Sequence, residues 1–304
     1  MFPAQRYNAA TMSLSPSSPL EETLLIAGVG LIGGSLAAAV RARHIARRVI
    51  GLGRNAQRLQ QAVDAGLLDG FVTTPADAPR EISLVVVCTP VPRIVDDVRS
   101  LMPHLSTSAL ITDAGSTKQS ICESLSDLSL QAPVFLGSHP IAGSDKQGFE
   151  YANADLFQGR TCVITPLPQH AEAAVSRVER FWQGVGMLTR RLSPAEHDRA
   201  LARTSHVPHV VAAAVAGALS PSDLPWTGSG FRDTTRIAAG DPDLWTGILR
   251  ENADEVLAGI AAVQRQLDQF AAALANGDAA ALRDQLVLGK TLRDQLAEAG
   301  TTGE

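Results

Sequence analysis

The sequence predicts an α/β fold, a doubly wound parallel sheet followed by an all-helical domain, and three observations predict it. A short apolar run at residues 23–27 opens onto Gly28, Gly30 and Gly33 in G-x-G-x-x-G spacing and then onto an Ala-rich helix. Strand-like apolar runs alternate with helical patterns of about 10–15 residues as far as residue 192. Beyond that point no strand pattern recurs and Ala/Leu periodicity takes over. The expected organisation is a disordered leader at residues 1–20, a sheet domain at 21–192 and a helical domain at 193–304.

Composition bounds the function. The 304 residues, 45% of them hydrophobic, suffice for about two domains with separate cores. With 26 Lys and Arg against 31 Asp and Glu there is no basic excess, and no Lys/Arg-rich run carries interleaved aromatics, which argues against a nucleic-acid partner. Cys88, Cys122 and Cys162 are odd in number and outside any C-x-x-C, so neither a disulfide framework nor a zinc site is expected and a reducing cytoplasm fits. The Ser/Pro-rich opening lacks the apolar core of a signal peptide, and Met12 is a second candidate start. No apolar run approaches the roughly 20 residues of a membrane span.

The glycine run is the first candidate site. Gly28 allows a tight turn, Gly30 lets backbone approach a pyrophosphate, and Gly33 lets helix and strand pack closely. Leu31 and Ile32 open the helix whose N-terminus faces the anion. A turn without ligand would use the same glycines, but the strand before them and the helix behind them favour a dinucleotide and hence a Rossmann-type sheet. The second strand, "RRVIGLG", ends on Gly53, where a carboxylate about 20 residues past the glycines would hold the ribose hydroxyls of NAD and repel a 2′-phosphate. With glycine there the repulsion is absent. Arg54, with Asn55 and Arg58 behind it, offers donors to a phosphate, so NADP is favoured, with NAD as the alternative.

The βα rhythm continues. "NAQRLQQAVDAG" reads as a helix with a glycine stop, "ISLVVVCTP" as a strand, and "VPRIVDDVRSLMPHL" as a helix with Pro92 near its start. "SALITDAGS" reads as a strand, "TKQSICESLSDL" as a helix, and "APVFLGSHP" as one strand ending at His139. Ligands of such sheets bind beyond the carboxyl ends of the strands, which gathers Thr89 and Pro90, Ser116, and His139. A lone loop histidine is more often a surface residue than a catalyst, and Ser116 by itself reads as the N-cap of the next helix. Their convergence is what makes His139 a candidate base.

"TCVITP" and "MLTRRL" read as short strands around the helix "AEAAVSRVERFWQG". Ser193 and Glu196 then form an S-x-x-E capping box that starts the helical half. His206 and His209 are i, i+3 neighbours, but Pro208 lies between them and no Asp, Glu or Cys completes a ligand set, so no metal is expected. Residues 228–252 interrupt the helices with glycines and charges before a helix resumes near Pro242. Arg232 and Arg236 in that stretch are surface charges taken alone; at a domain cleft either is a fork for a carboxylate. The Ala/Leu-rich half is too apolar for a monomer's surface, which points to a symmetric homodimer made after about residue 200.

In this order, "GVGLIGGS", "DAGSTK", "GSHPIAGSDKQGFEYANADLFQG", "TSHVPHVVA" and "GFRDTTRIAAGDPDLW" resemble the prephenate/arogenate dehydrogenases of tyrosine biosynthesis, over about residues 23–265. The resemblance implies a Rossmann domain and a helical dimerisation domain enclosing the active site between them. It implies an oxidative decarboxylation: hydride leaves the ring carbon bearing the hydroxyl, carbon dioxide leaves the opposite carbon, and the ring becomes aromatic. His139 matches the family's catalytic histidine, Ser116 the serine that hydrogen-bonds near the same hydroxyl, and Arg236 the arginine that binds the ring carboxylate. His206 and Trp245 match residues near the substrate, Trp245 in its own or the partner subunit's site, and Asp145 stands where some members have glutamate. The chemistry agrees, because the ring hydroxyl gives up a proton as the hydride departs and a neutral imidazole is the natural acceptor.

Two departures from some family members are expected. The sheet pattern begins by residue 23, which leaves no place for a fused chorismate mutase, and the stretch after about 265 is too short for a βαββαβ regulatory domain. A monofunctional enzyme is expected, with any tyrosine inhibition acting at the active site. A 3-hydroxyacid-type dehydrogenase would carry an active-site lysine on the helical domain's first long helix, and no lysine occurs from Gln147 to Gly289. A non-enzymatic nucleotide-sensing protein would need the glycines but not Ser116, His139 and Arg236 together. Prephenate is the expected substrate and arogenate the alternative, the two differing by a keto or amino group.

Overall fold

The structure, a computed structural model, describes residues 19–130, 132–144 and 146–301. The expected leader lies outside the described residues except for Pro19 and Leu20. The chain divides into two compact units that meet in sequence between His197 and Asp198.

The first unit is built on β1 (Glu21–Ala27), β2 (Ala46–Leu52), β3 (Gly70–Val72), β4 (Leu84–Val87), β5 (Leu110–Asp113) and β6 (Val134–Phe135). They pair parallel in the order β3-β2-β1-β4-β5-β6, the doubly wound arrangement that binds dinucleotides. The connecting helices are α1 (Leu31–Ala42), α2 (Ala56–Asp64), α3 (Ile94–Leu101) and α4 (Gln119–Ser124). Every residue of β4 is buried, as expected of a strand covered by helices on both faces. The core continues through Leu24, Ile26, Leu36 and Val86 to Phe157, Phe181 and Trp182.

A second, smaller sheet follows: β7 (Gly137–Pro140), β8 (Thr161–Thr165) and β9 (Leu188–Arg191), with α5 (Glu172–Gly184) between the last two. β7 runs antiparallel to β8, and β8 parallel to β9. This corrects the reading of residues 132–140 as one strand. The segment leaves the large sheet after Leu136, whose N–H still donates to Ile111 O at 2.9 Å, and enters the small one at Gly137. A Cβ at Gly137 would lie 2.6 Å from Thr165 Oγ1 and 2.8 Å from Cys122 Sγ, so only glycine passes at the switch. His139 therefore sits inside β7 and not beyond the carboxyl end of a parallel strand.

Other departures are local. Pro92 and Pro103 reduce the helix expected over 91–105 to α3 between two 3₁₀ turns. The three-residue β3 carries too short a pattern to be read from sequence. Ser116 is not an N-cap: α4 begins at Gln119, its cap position is Lys118, and no side chain caps it.

The second unit is helical. α6 (Pro194–Leu201) crosses the division, followed by a π-helical turn Ala202–His206, α7 (Val207–Gly217), α8 (Ser229–Thr235), α9 (Pro242–Glu251), α10 (Ala253–Ala275) and α11 (Ala279–Thr301). The capping box forms as expected: Ser193 N–H donates to Glu196 Oε2 at 2.9 Å, and Glu196 N–H to Ser193 Oγ at 3.2 Å. The core here is small, with Ala202, Val207 and Val256 buried against Val210, Val211 and Ile260. Among the described residues no helix is long and apolar enough to cross a membrane.

Candidate active site

The glycine turn is shaped for a ligand. Gly28 has φ +93°, and a Cβ there would lie 2.9 Å from the Thr89 backbone nitrogen; at Gly33 it would lie 2.1 Å from Gly28 O. A Cβ at Gly30 would meet nothing within 4 Å, so Gly30 borders open space while its neighbours are tightly packed. The first bond of the helical ladder runs from Gly34 N–H to Gly30 O at 2.8 Å, and no side chain caps α1. The N–H groups of Leu31, Ile32 and Gly33 precede that ladder and suit an anion.

A cleft of about 280 Å³ adjoins the turn, lined by Gly28, Gly53, Arg54, Thr89, Pro90 and Arg93 among others. Thr89 Oγ1 and Asp97 Oδ2, both from cleft-lining residues, are buried without a hydrogen-bond partner among the described residues. Such orphaned groups fit a polar ligand. Of the three donors expected past β2, Arg54 lines the cleft, Asn55 caps α2 through Oδ1, and Arg58 pairs with Glu150 at 2.8 Å. Arg93 is a further cation on the cleft wall, paired with Asp97 at 2.9 Å.

A buried polar network holds β7 from beneath. Asp113, the last residue of β5, and Lys118 form an ion pair with both side chains fully buried. The Asp113 carboxylate also accepts from Gly115 N–H at 2.9 Å and Ser138 N–H at 3.0 Å. A charge this deep needs such partners, since an isolated one costs several kcal/mol, or about 3–5 when a buried pair is broken. The Ser138 hydroxyl donates to Asp113 O at 2.6 Å, lies 2.7 Å from Thr112 Oγ1, and accepts from Trp182 Nε1 at 3.0 Å. The residue preceding His139 is thereby fixed by both backbone and side chain.

His139 is 8% exposed, and its Nδ1 lies 2.8 Å from Nε2 of the fully buried His197. Ser116, half-buried in the loop between β5 and α4, has no side-chain partner among the described residues. Cys162, opposite Pro140 in register, is no ready nucleophile, because burial pushes its thiol well above the ordinary range. Asp145 lies outside the described residues.

In the helical unit, His206 is 1% exposed and accepts at Nδ1 from Asn252 Nδ2 at 3.1 Å; the same amide donates to Asp198 O at 2.8 Å. His209 stacks on Trp245 with ring centroids 3.5 Å apart and 17° between planes. Its Nδ1 is buried without a partner among the described residues, and burial lowers its pKa, so the ring favours the neutral form. Gly240 passes over this stack, where a Cβ would lie 2.5 Å from Trp245 Nε1. Arg236 is exposed at the start of a 3₁₀ turn, Arg236–Ala239. His206 meets the same tryptophan edge-on, its ring centroid 6.3 Å from that of Trp245 and the planes at 79°.

Sequence reasoning missed Asp113, Lys118, His197 and Asn252. The motif "DAGSTK" contains the first two, five residues apart across a strand-to-helix turn, and that spacing was the available signal. His197 and Asn252 carry no local signal, because their partners lie 58 and 46 residues away.

The chain is similar to known proteins along most of its length. Residues 36–189 match the nucleotide-binding domain model of prephenate dehydrogenase, and residues 193–288 its dimerisation domain model. The chain is 31% identical to the prephenate dehydrogenase of Bacillus subtilis over 284 residues, 91% of this chain and 76% of that one. Its fold is similar to the A. aeolicus prephenate dehydrogenase in complex with hydroxyphenyl propionate and NAD+, at TM-score 0.85 and 31% identity, covering 94% of this chain and 100% of that one. It is also similar to Synechocystis arogenate dehydrogenase, at TM-score 0.78 and 30% identity over 90% and 99% of the two chains. With both domain models matched and nearly the whole chain aligned, this protein belongs to the prephenate dehydrogenase family of oxidoreductases.

Proposed function

We propose that this protein oxidatively decarboxylates prephenate to 4-hydroxyphenylpyruvate, with arogenate as the alternative substrate. The observation that carries the reading is His139, a nearly buried imidazole fixed through Ser138 on one side and His197 on the other. The nicotinamide, when bound, accepts the hydride. His139 takes the hydroxyl proton as that hydride leaves and returns it to the phenolate once carbon dioxide has departed, so no net proton is released. Ser116 supplies a hydroxyl for the same oxygen, and Arg236 a guanidinium for the ring carboxylate. His206 and Trp245 are assigned to the substrate's surroundings, as is Asp145.

The cleft takes the cofactor, with Gly28, Gly30, Leu31, Ile32 and Gly33 toward the pyrophosphate and Thr89 and Pro90 on the wall of the same cleft. NADP is favoured, because Gly53 brings no carboxylate and Arg54 lines the same cleft. The A. aeolicus relative, described with NAD+, supports NAD as the alternative. The enzyme works as a homodimer in the cytoplasm, a reading supported by the dimerisation-domain match and three free cysteines.

The test is absorbance of the reduced cofactor with prephenate or arogenate and either nicotinamide. Turnover with carbon dioxide release is expected, fastest with prephenate and NADP. No turnover in any of the four combinations would remove the reading.

A further inference from the structure

The reaction as written gives His197 no part, yet its contact with His139 is deliberately built. The small sheet sets it up: His139 registers with Val163 on β8, and Val163 with Arg190 on β9. Leu192 N–H then donates to Ile164 O at 3.1 Å, and the Ser193–Glu196 capping box starts α6, so that His197 falls in that helix's first turn. Its ring meets that of His139 at 67°, with centroids 5.1 Å apart. Two imidazolium rings have donors on every nitrogen and cannot make the 2.8 Å contact, so at least one ring is neutral and one proton lies between the two nitrogens.

We propose that His197 is a positioning residue whose Nε2 accepts the Nδ1–H of His139. This holds His139 in the tautomer that keeps a lone pair on Nε2, and it rests on the reading of His139 as the base. With the opposite polarity, His197 donating, the proton of a neutral His139 would sit on Nε2, and no lone pair would face a substrate hydroxyl. The nitrogen that a histidine leaves basic is set by the hydrogen bond its other nitrogen makes, and loss of an orienting partner costs about 10⁴-fold where that partner is a carboxylate. A neutral imidazole orients more weakly, so a loss of about 10–100-fold is expected here.

Long-range 1H–15N correlation of the 15N-labelled full chain reads the tautomer directly, with His139 assigned by the signal lost in His139→Asn. Neutral His139 should carry its proton on Nδ1. In His197→Phe the proton should move to Nε2, with kcat on prephenate down about 10–100-fold and the cofactor KM unchanged. In His197→Gln, whose Oε1 accepts the same hydrogen, Nδ1 protonation and most of kcat should return. A His139 protonated on Nε2 in the unsubstituted protein overturns the proposal, as does Nδ1 protonation with full kcat in His197→Phe. Full turnover by His139→Asn overturns instead the base reading beneath it, so the two failures are read on different variants.

Discussion

The two units of the chain handle their polar and apolar groups in opposite ways. In the sheet unit an ion pair, two threonines, a serine and a tryptophan N–H are buried around β7, and nearly all of them find partners within the unit. In the helical unit the buried cluster is small, while Leu288, Leu292 and Leu296 repeat every four residues along α11 at 51%, 57% and 66% exposure. Arg236 is likewise exposed, and His209 keeps a buried nitrogen without a partner among the described residues. Around β7 the sheet unit is finished as it stands, its orphaned Thr89 Oγ1 and Asp97 Oδ2 lying instead at the cleft beside the glycine turn; the helical unit presents exposed leucines, which suit a second copy, and an exposed guanidinium, which suits an anion.

The largest effect tests the finished side. His139→Asn should lower kcat by about 10²–10⁴-fold while cofactor binding, followed by fluorescence titration, persists. Near-normal turnover would make the buried imidazole structural. Lys118→Met should cost about 3–5 kcal/mol in denaturant unfolding, because Asp113 is left charged at full burial. A loss under about 1 kcal/mol would show that the hydrogen bonds from Gly115 and Ser138 hold the carboxylate without the lysine.

On the open side, Arg236→Gln should leave the fold intact and raise the KM for prephenate by an amount equivalent to about 2–5 kcal/mol, with little change in melting temperature. An unchanged KM would move the carboxylate contact to Arg232 or elsewhere. Leu288→Glu combined with Leu292→Glu should give a folded monomer by light scattering at micromolar concentration, since each leucine forgoes about 1.5–3 kcal/mol of burial. A persistent dimer would place the interface off this face. The smallest effect concerns a cation on the sheet unit's cleft: Arg54→Ala should lower kcat/KM for NADP about tenfold and leave NAD nearly unchanged, as loss of one charge-assisted bond predicts. A preference for NAD that ignores Arg54 would show that the glycine at 53 does not set the choice.

The sequence by itself determined the central strands of the large sheet, the glycine turn and the helical second half. The turn needs φ freedom at Gly28 and close packing at Gly33, and both are local demands that leave a readable spacing. β4 announces itself as an unbroken apolar run, and α6 by its capping box. Ser116 was legible as a candidate because it follows β5 closely, whereas His139 was singled out at the end of an expected strand and lies inside β7 instead. Tertiary structure alone decided that the chain changes sheets at Gly137, that Asp113 and Lys118 meet and fasten Ser138, and that His197 reaches His139. Each of these depends on which strands become neighbours, and a periodicity of two or 3.6 residues says which face a side chain takes but not what lies opposite it. A histidine pair 58 residues apart has no sequence pattern of its own; it exists because β7, β8 and β9 stack in register and α6 starts where its capping box puts it.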